Sequence, residues 1–163
     1  MSNAIFTTSY SFDAPKQLVF NAFSTAEALN EWWGPGNANN SVVSLDFKPG
    51  GIFHYKMEAG GHTNYGRFIF GRIEPYDLLE FTTAFADEHA NPIKAPFGFD
   101  FPLEIFNRAT FSESNGKTTI TLTGGPVDAT PEQVKVYNEL NSSMQEGFKA
   151  TFSKLETYLA NNK

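Results

Sequence analysis

Between Pro131 and Leu159 the side chains Val134, Tyr137, Leu140, Met144, Phe148, Thr151, Leu155 and Leu159 recur every three or four residues, and this constrains the fold most. Glu132, Lys135, Glu139, Glu146, Lys149 and Glu156 fall on the opposite side. A long helix with one apolar stripe has to lay that stripe on something. Thr130 reads as its N-cap, Pro131 as the first helical residue and Gln133 as the third member of a capping box. The stripe holds one irregularity, Gly147, which costs roughly 1 kcal/mol against alanine in mid-helix. It marks either close backbone packing on a sheet or a notch left open for a ligand.

The surface that receives the stripe is legible upstream. Residues 5–12 alternate as a strand with Phe6, Tyr10 and Phe12 on one side. Asp13 offers an N-cap and Pro15 a first helical turn for a short helix carrying Leu18, Val19, Ala22 and Phe23. Ser24-Thr25-Ala26-Glu27 starts a second, which runs into Trp32-Trp33 and stops at Gly34-Pro35. Strands then follow at 41–47 (Val43, Leu45 and Phe47 together), 52–57, 64–74, 78–86, 104–112 and 118–124. Tight turns join most of them, and Asn115-Gly116 is the strongest hairpin signal. Seven strands linked this way predict an antiparallel sheet, so the class is α+β and the chain reads as one domain over 1–163. At 163 residues such a domain buries about 70% of its unfolded surface.

Composition removes several functions. A net charge of -6 with only 12 scattered Lys and Arg supplies no basic surface for nucleic acid. There is no cysteine, hence no thiol nucleophile, disulfide or thiolate metal site. No apolar run is long enough to span a bilayer and the N-terminus lacks a signal-peptide pattern, so the expected location is cytoplasmic. The 17 Phe and 6 Tyr predict either a densely packed interior or a lined cavity.

Chemistry-bearing constellations are sparse. His54, His62 and His89 are the only histidines; a register about Gly60-Gly61 puts His54 opposite roughly Tyr65, and no metal-ligand spacing occurs. Carboxylate pairs could be sought in Asp100 with Glu104 or Glu58 with Glu80, but nothing in the pattern brings them together. Gly50-Gly51 and Gly60-Gly61 are turn glycines and open no helix that could cradle phosphate. No catalytic residue, cofactor or metal is therefore assigned. Arg67 and Arg108 interrupt Phe-rich strands, where strand parity groups Arg67 with Tyr65 and Ile69 and Arg108 with Phe106 and Thr110, and would either meet a ligand's carbonyl or carboxylate inside or face solvent. The stretch from Asp87 to Leu103, broken by Pro92, Pro96 and Pro102, is long for a connection and reads as a lid, a subunit contact or a plug.

Five motifs carry a family resemblance: Trp32-Trp33-Gly34-Pro35; Phe47-Lys48-Pro49-Gly50-Gly51; Gly66-Arg67-Phe68 with Ile73-Glu74-Pro75; Gly116-Lys117-Thr118-Thr119; and Met144-Gln145-Glu146-Gly147-Phe148. In these the chain, over residues 5–160, resembles the START-like (Bet v 1-like, SRPBCC) superfamily, within it the Hsp90-ATPase-activator-homologue-like group. Where that group often carries tryptophan, this chain has Phe148. The resemblance implies a helix-grip fold: a curved antiparallel sheet around a long C-terminal helix, with two short helices after the first strand. It also implies a small hydrophobic molecule as partner, with polyketide cyclase-like turnover or Hsp90-activator-like interaction as alternatives and a homodimer left open. The expected lining is Trp32, Trp33, Tyr55, Tyr65, Arg67, Phe81, Phe97, Phe106, Arg108, Met144 and Phe148.

Overall fold

The computed structural model describes residues 6–33, 39–94 and 101–161. In chain order the elements are β1 (Phe6–Phe12), α1 (Lys16–Asn21), α2 (Ala26–Trp32), β2 (Asn39–Leu45), β3 (Ile52–Ala59), β4 (His62–Glu74) and β5 (Leu78–Ala86). They continue with β6 (Ile105–Ser114), β7 (Lys117–Pro126), α3 (Pro131–Glu139) and α4 (Asn141–Asn161). The strands form one antiparallel sheet in the order β1-β7-β6-β5-β4-β3-β2. β1 and β2, adjacent in sequence, are thus opposite edges, and α1 and α2 bridge them while α2 packs on α4. This is the helix-grip fold.

Strand alternation gives the sheet two different faces. On β6 and β7 the residues Asn107, Ala109, Phe111, Thr118, Ile120, Leu122 and Gly124 are buried toward the helices, while Phe106, Arg108 and Thr110 point the other way. We call these the inner and outer faces. Asn115 and Gly116 turn the β6–β7 hairpin at φ of 55° and 78°, the signature of the tight two-residue turn expected there.

Four details differ from the sequence reading. The closing helix is bent at Leu140 (φ -91°, ψ 3°) into α3 and α4, although its hydrogen bonds run through: Leu140 N–H donates to Val136 O and Met144 N–H to Leu140 O. Asn138 and Asn141, both weak helix formers, flank the bend. On β2 a bulge between Val42 and Ser44 throws Val43 outward at 51% exposure and leaves Val42 and Leu45 against the core. The cap of α1 is Pro15 rather than Asp13, and the free Lys16 N–H finds Glu113 Oε1 on β6 at 2.8 Å. His54 pairs with Arg67, two positions from the register expected, with the Tyr65 ring diagonal to it at 5.4 Å. Thr25 and Thr130 cap α2 and α3 as helix-start signals, the latter in a complete capping box with Gln133.

The inner face is unevenly filled along its length. Toward α1, Phe20 and Phe23 meet Phe111 at 5.3 and 5.7 Å, and Trp32 (0% exposed) donates its Nε1–H to Ala22 O. Phe12, Phe152, Leu155 and Leu159 complete that end without exposure of consequence. Toward the N-terminal half of α4, by contrast, Met57, Thr83, Phe85, Ile105, Met144 and Phe148 are only half-buried. No helix among the described residues is long and apolar enough to cross a membrane.

Candidate functional site

The incompletely covered end of the inner face is where a ligand would be sought. Its floor is aromatic. Phe68 on β4 and Phe81 on β5 stack with ring centroids 4.4 Å apart and planes within 10°. Trp33, held just beyond α2, stands edge-on to Phe68 at 4.9 Å and to Tyr55 at 5.7 Å. Such pairs contribute roughly 0.5–1.5 kcal/mol each beyond the area they bury. Across the sheet, Phe148 of α4 lies 5.5 Å from Phe6 and 5.8 Å from Phe152. Met144, one helical turn earlier, also packs against the core.

Polar groups inside this wall are few. The Tyr55 ring lies flat against Gly66, and a Cβ built there would sit 2.4 Å from its Cζ. Burial pushes the Tyr55 phenol well above its ordinary pKa, and the nearby Trp33 indole offsets this only in part. Trp33 Nε1 is itself enclosed without a hydrogen-bond partner at good geometry. Asn107 on β6 is also polar and only 4% exposed, and it donates Nδ2–H to Ile105 O at 3.3 Å. It leans over Gly124, where a Cβ would come within 2.7 Å of its Oδ1. Phe81, Asn107, Gly124 and Phe6 form one row across β5, β6, β7 and β1.

The expected lining is therefore divided. Trp32, Trp33, Tyr55, Phe81, Met144 and Phe148 stand on the inner side, Trp32 as closed core and the others about the half-covered end. Tyr65, Arg67, Phe106 and Arg108 do not. The parity that groups Arg67 with Tyr65, and Arg108 with Phe106, holds, but Gly66, Phe68, Asn107 and Ala109 take the inner positions, so these four project from the outer face. Phe97 lies outside the described residues. Phe68, Thr83, Ile105 and Asn107 are inner-face residues missing from the sequence list; the same alternation, anchored on buried Phe68 instead of Arg67, points to all of them.

The outer face binds its own cations. Arg67 Nη2 meets Glu104 Oε2 at 3.0 Å and its Nη1 donates to Ala90 O at 3.0 Å. Arg108 pairs with Glu80 at 2.6 Å and lies 6.0 Å above the Phe106 ring. Glu80 and Glu104 are thereby partners of different arginines and Glu58 pairs with Lys56 at 3.6 Å, while Asp100 lies outside the described residues. His54, buried, shares its Nε2 with Asp87 O at 3.0 Å. The Asp87 carboxyl is held below the usual carboxylate range, chiefly by the Asn91 backbone N–H, with His89 N–H adding to it. This small turn brings Pro92 back beside Ala86 and Ile93 N–H onto Phe85 O. Residues 87–94 are thus tied to the outer side, while Phe101 returns inward to within 6.4 Å of Tyr137. The segment 95–100 between them lies outside the described residues. Among the described residues no three His, Asp or Glu side chains gather as a metal would require.

Gly147 turns out exposed with open space at its Cβ position, so close packing on the sheet does not explain it.

The chain matches the model of the family described as Activator of Hsp90 ATPase homolog 1-like protein over residues 13–160. Among solved structures it is similar to protein Ms6760 from Mycobacterium smegmatis, at 26% identity and a TM-score of 0.79, covering 96% of this chain and 91% of that one. A protein from Arthrobacter aurescens gives 22% identity and a TM-score of 0.81 over 98% of this chain and 87% of that one. The AHSA1 protein from Silicibacter pomeroyi gives 18% and 0.72 over 98% and 100%. The latter two, below 25% identity, speak to fold alone. No curated protein sequence matches significantly.

Proposed function

The chain belongs to the Activator of Hsp90 ATPase homolog 1-like family, and on that footing we propose that it binds a small, mainly apolar molecule between the inner face and the start of α4. One observation carries the reading. The same inner face that is sealed near α1 leaves Met57, Thr83, Phe85, Ile105, Met144 and Phe148 half-covered at its other end. Apolar side chains left short of full burial on the concave side of a sheet are what a hydrophobic guest would cover. Each further 100 Å² of apolar area removed from water is worth about 2.5 kcal/mol before association costs. Binding would be noncovalent, in a cytoplasmic setting.

The test is an NMR titration of the ¹⁵N-labelled protein with 2-methylnaphthalene, a flat apolar probe. Saturable shifts at the Trp33 indole and the backbone amides of Met57, Thr83, Ile105, Met144 and Phe148 are expected. Absence of shifts up to the solubility limit, or shifts confined to the outer face, would end the proposal.

The family match supports a second reading, stimulation of Hsp90 ATP hydrolysis through a protein contact. Purified chain added to Hsp90 would then raise its hydrolysis rate with no small molecule present.

A further inference from the structure

Glu113 and Thr118 face each other across the β6–β7 ladder, just behind the turn, and both reach the chain that joins β1 to α1. Lys16 N–H donates to Glu113 Oε1 at 2.8 Å, and the hydroxyl of buried Thr118 donates to Ala14 O at 2.7 Å. The end of this hairpin therefore fixes where α1 starts, and α1 carries Val19 and Phe20 into the core. The turn itself, Asn115-Gly116, is exposed at both residues and stands outside the ladder, since Ser114 pairs directly with Lys117. Nothing lies within 4 Å of the Gly116 Cβ position, so its backbone nitrogen is unshielded next to the Asn115 carboxamide. Asparagine amides are among the thermolabile groups of proteins. No other asparagine of this chain precedes a glycine. Asn40 and Asn141, which precede serine, are held in β2 and in the first turn of α4.

We propose that Asn115 is a self-modifying site: its carboxamide cyclises onto the Gly116 nitrogen and opens to isoaspartate, which loosens the hold of the hairpin on α1. The Gly116 nitrogen attacks Asn115 Cγ, and its proton passes through solvent to Nδ2. A bond from nitrogen to Cγ forms, the bond from Cγ to Nδ2 breaks, and Nδ2 leaves as ammonia, giving a cyclic imide. Water then adds at either ring carbonyl. Addition at Cγ restores an ordinary backbone with aspartate. Addition at the main-chain carbonyl leaves the chain running through Cβ and Cγ, with a free α-carboxylate. Nothing is oxidised or reduced; water is taken up and ammonia released. The isoaspartyl backbone is longer by a methylene group, for which a two-residue turn has no room, because loop length and turn type fix the register of the strands. The disturbance falls first on the Glu113 and Thr118 pair and through it on Ala14 and Lys16.

The experiment ages the wild-type chain at mildly alkaline pH and physiological temperature and follows it by peptide mapping with mass spectrometry. The peptide holding Asn115 should gain about 1 Da, the exchange of an amide NH2 for OH, several-fold faster than any other asparagine peptide. Its product should accept methyl label from an isoaspartyl carboxyl methyltransferase. Faster gain at another asparagine, or none at Asn115, would overturn the assignment. Asn115→Asp separates charge from backbone length, because Asp-Gly forms the same turn. Amide spectra of the aged chain should show new signals for Lys16 and Thr118 that freshly prepared Asn115→Asp lacks. An isoaspartyl product whose Lys16 amide keeps its wild-type position, or the same new signals in Asn115→Asp, would refute the coupling to α1.

Discussion

The ring of Tyr55 rests on the backbone of Gly66, closely enough that an alanine Cβ would stand 2.4 Å from Cζ and 2.5 Å from Oη. That contact explains the glycine of the Gly66-Arg67-Phe68 motif by shape, since the residue serves its cross-strand neighbour rather than any turn.

Gly66→Ala should therefore destabilise the protein by about 1–3 kcal/mol, the usual penalty of overpacking. Tyr55→Ala should cost about 3 kcal/mol through the lost ring. Together they should cost less than their sum, because the small residue relieves the clash. Urea unfolding of the two single variants and the double variant checks this, and strict additivity would contradict the contact.

Arg67→Ala should leave the affinity for 2-methylnaphthalene within twofold of wild type while lowering stability by about 2 kcal/mol. The guanidinium is the partner of Glu104 and of Ala90 O on the outer face, with its side chain 12% exposed. A large affinity loss without a stability loss would return this residue to the site.

Phe148 and Phe152 offer a matched contrast on one helix. Phe152 is 3% exposed between Tyr10 and Phe12, so truncation to alanine should cost about 3–4 kcal/mol in unfolding. Phe148, half-buried over Phe6, should cost less than half of that yet weaken probe binding several-fold. Parallel unfolding and titration data would separate the two roles.

Gly147→Ala should stabilise the protein by roughly 0.5–1 kcal/mol, because the helical position is exposed and no atom lies within 4 Å of the added methyl group. For a chain of this size that is a rise in Tm of about 2–4 °C per kcal/mol, readable by calorimetry.

Alkaline pH should unfold the protein through its buried phenols. Burial pushes Tyr137 up to about 12 and raises Tyr55 further, while both ionise near 10 in the unfolded chain. Below pH 10 the folded and unfolded states hold the same phenolic protons. Above it the unfolded state loses them first, so stability falls between pH 10 and 12. Tyr137→Phe should flatten that decline in a series of urea midpoints, and an unchanged slope would contradict the burial effect.

Much of the fold was legible because its signals are local. The capping box at Thr130, the Asn115-Gly116 turn and the two-residue alternation of β6 and β7 each act within a few neighbours. The bend at Leu140 was not, since no proline or glycine marks it and only the path of α3 against α4 reveals it. Alternation grouped Arg67 with Tyr65 and Arg108 with Phe106, but it cannot say which set faces the helices. That choice is settled by Glu104, just before β6, and Glu80 on β5, which hold the arginines on the outer face, and by Phe81, which stacks on Phe68 inward. Asn107 escaped notice for a related reason, because an asparagine in a strand reads as surface until its neighbours Ala109 and Gly124 prove buried.

The bulge at Val43 bears on how copies of this chain could meet. β2 is an outermost strand, and an extra residue there twists the row of free backbone groups out of line. A second molecule trying to extend the sheet past β2 would lose regular pairing in mid-strand. Self-association by strand addition is thereby discouraged on that flank, which leaves β1 as the other edge at which a second copy could extend the sheet.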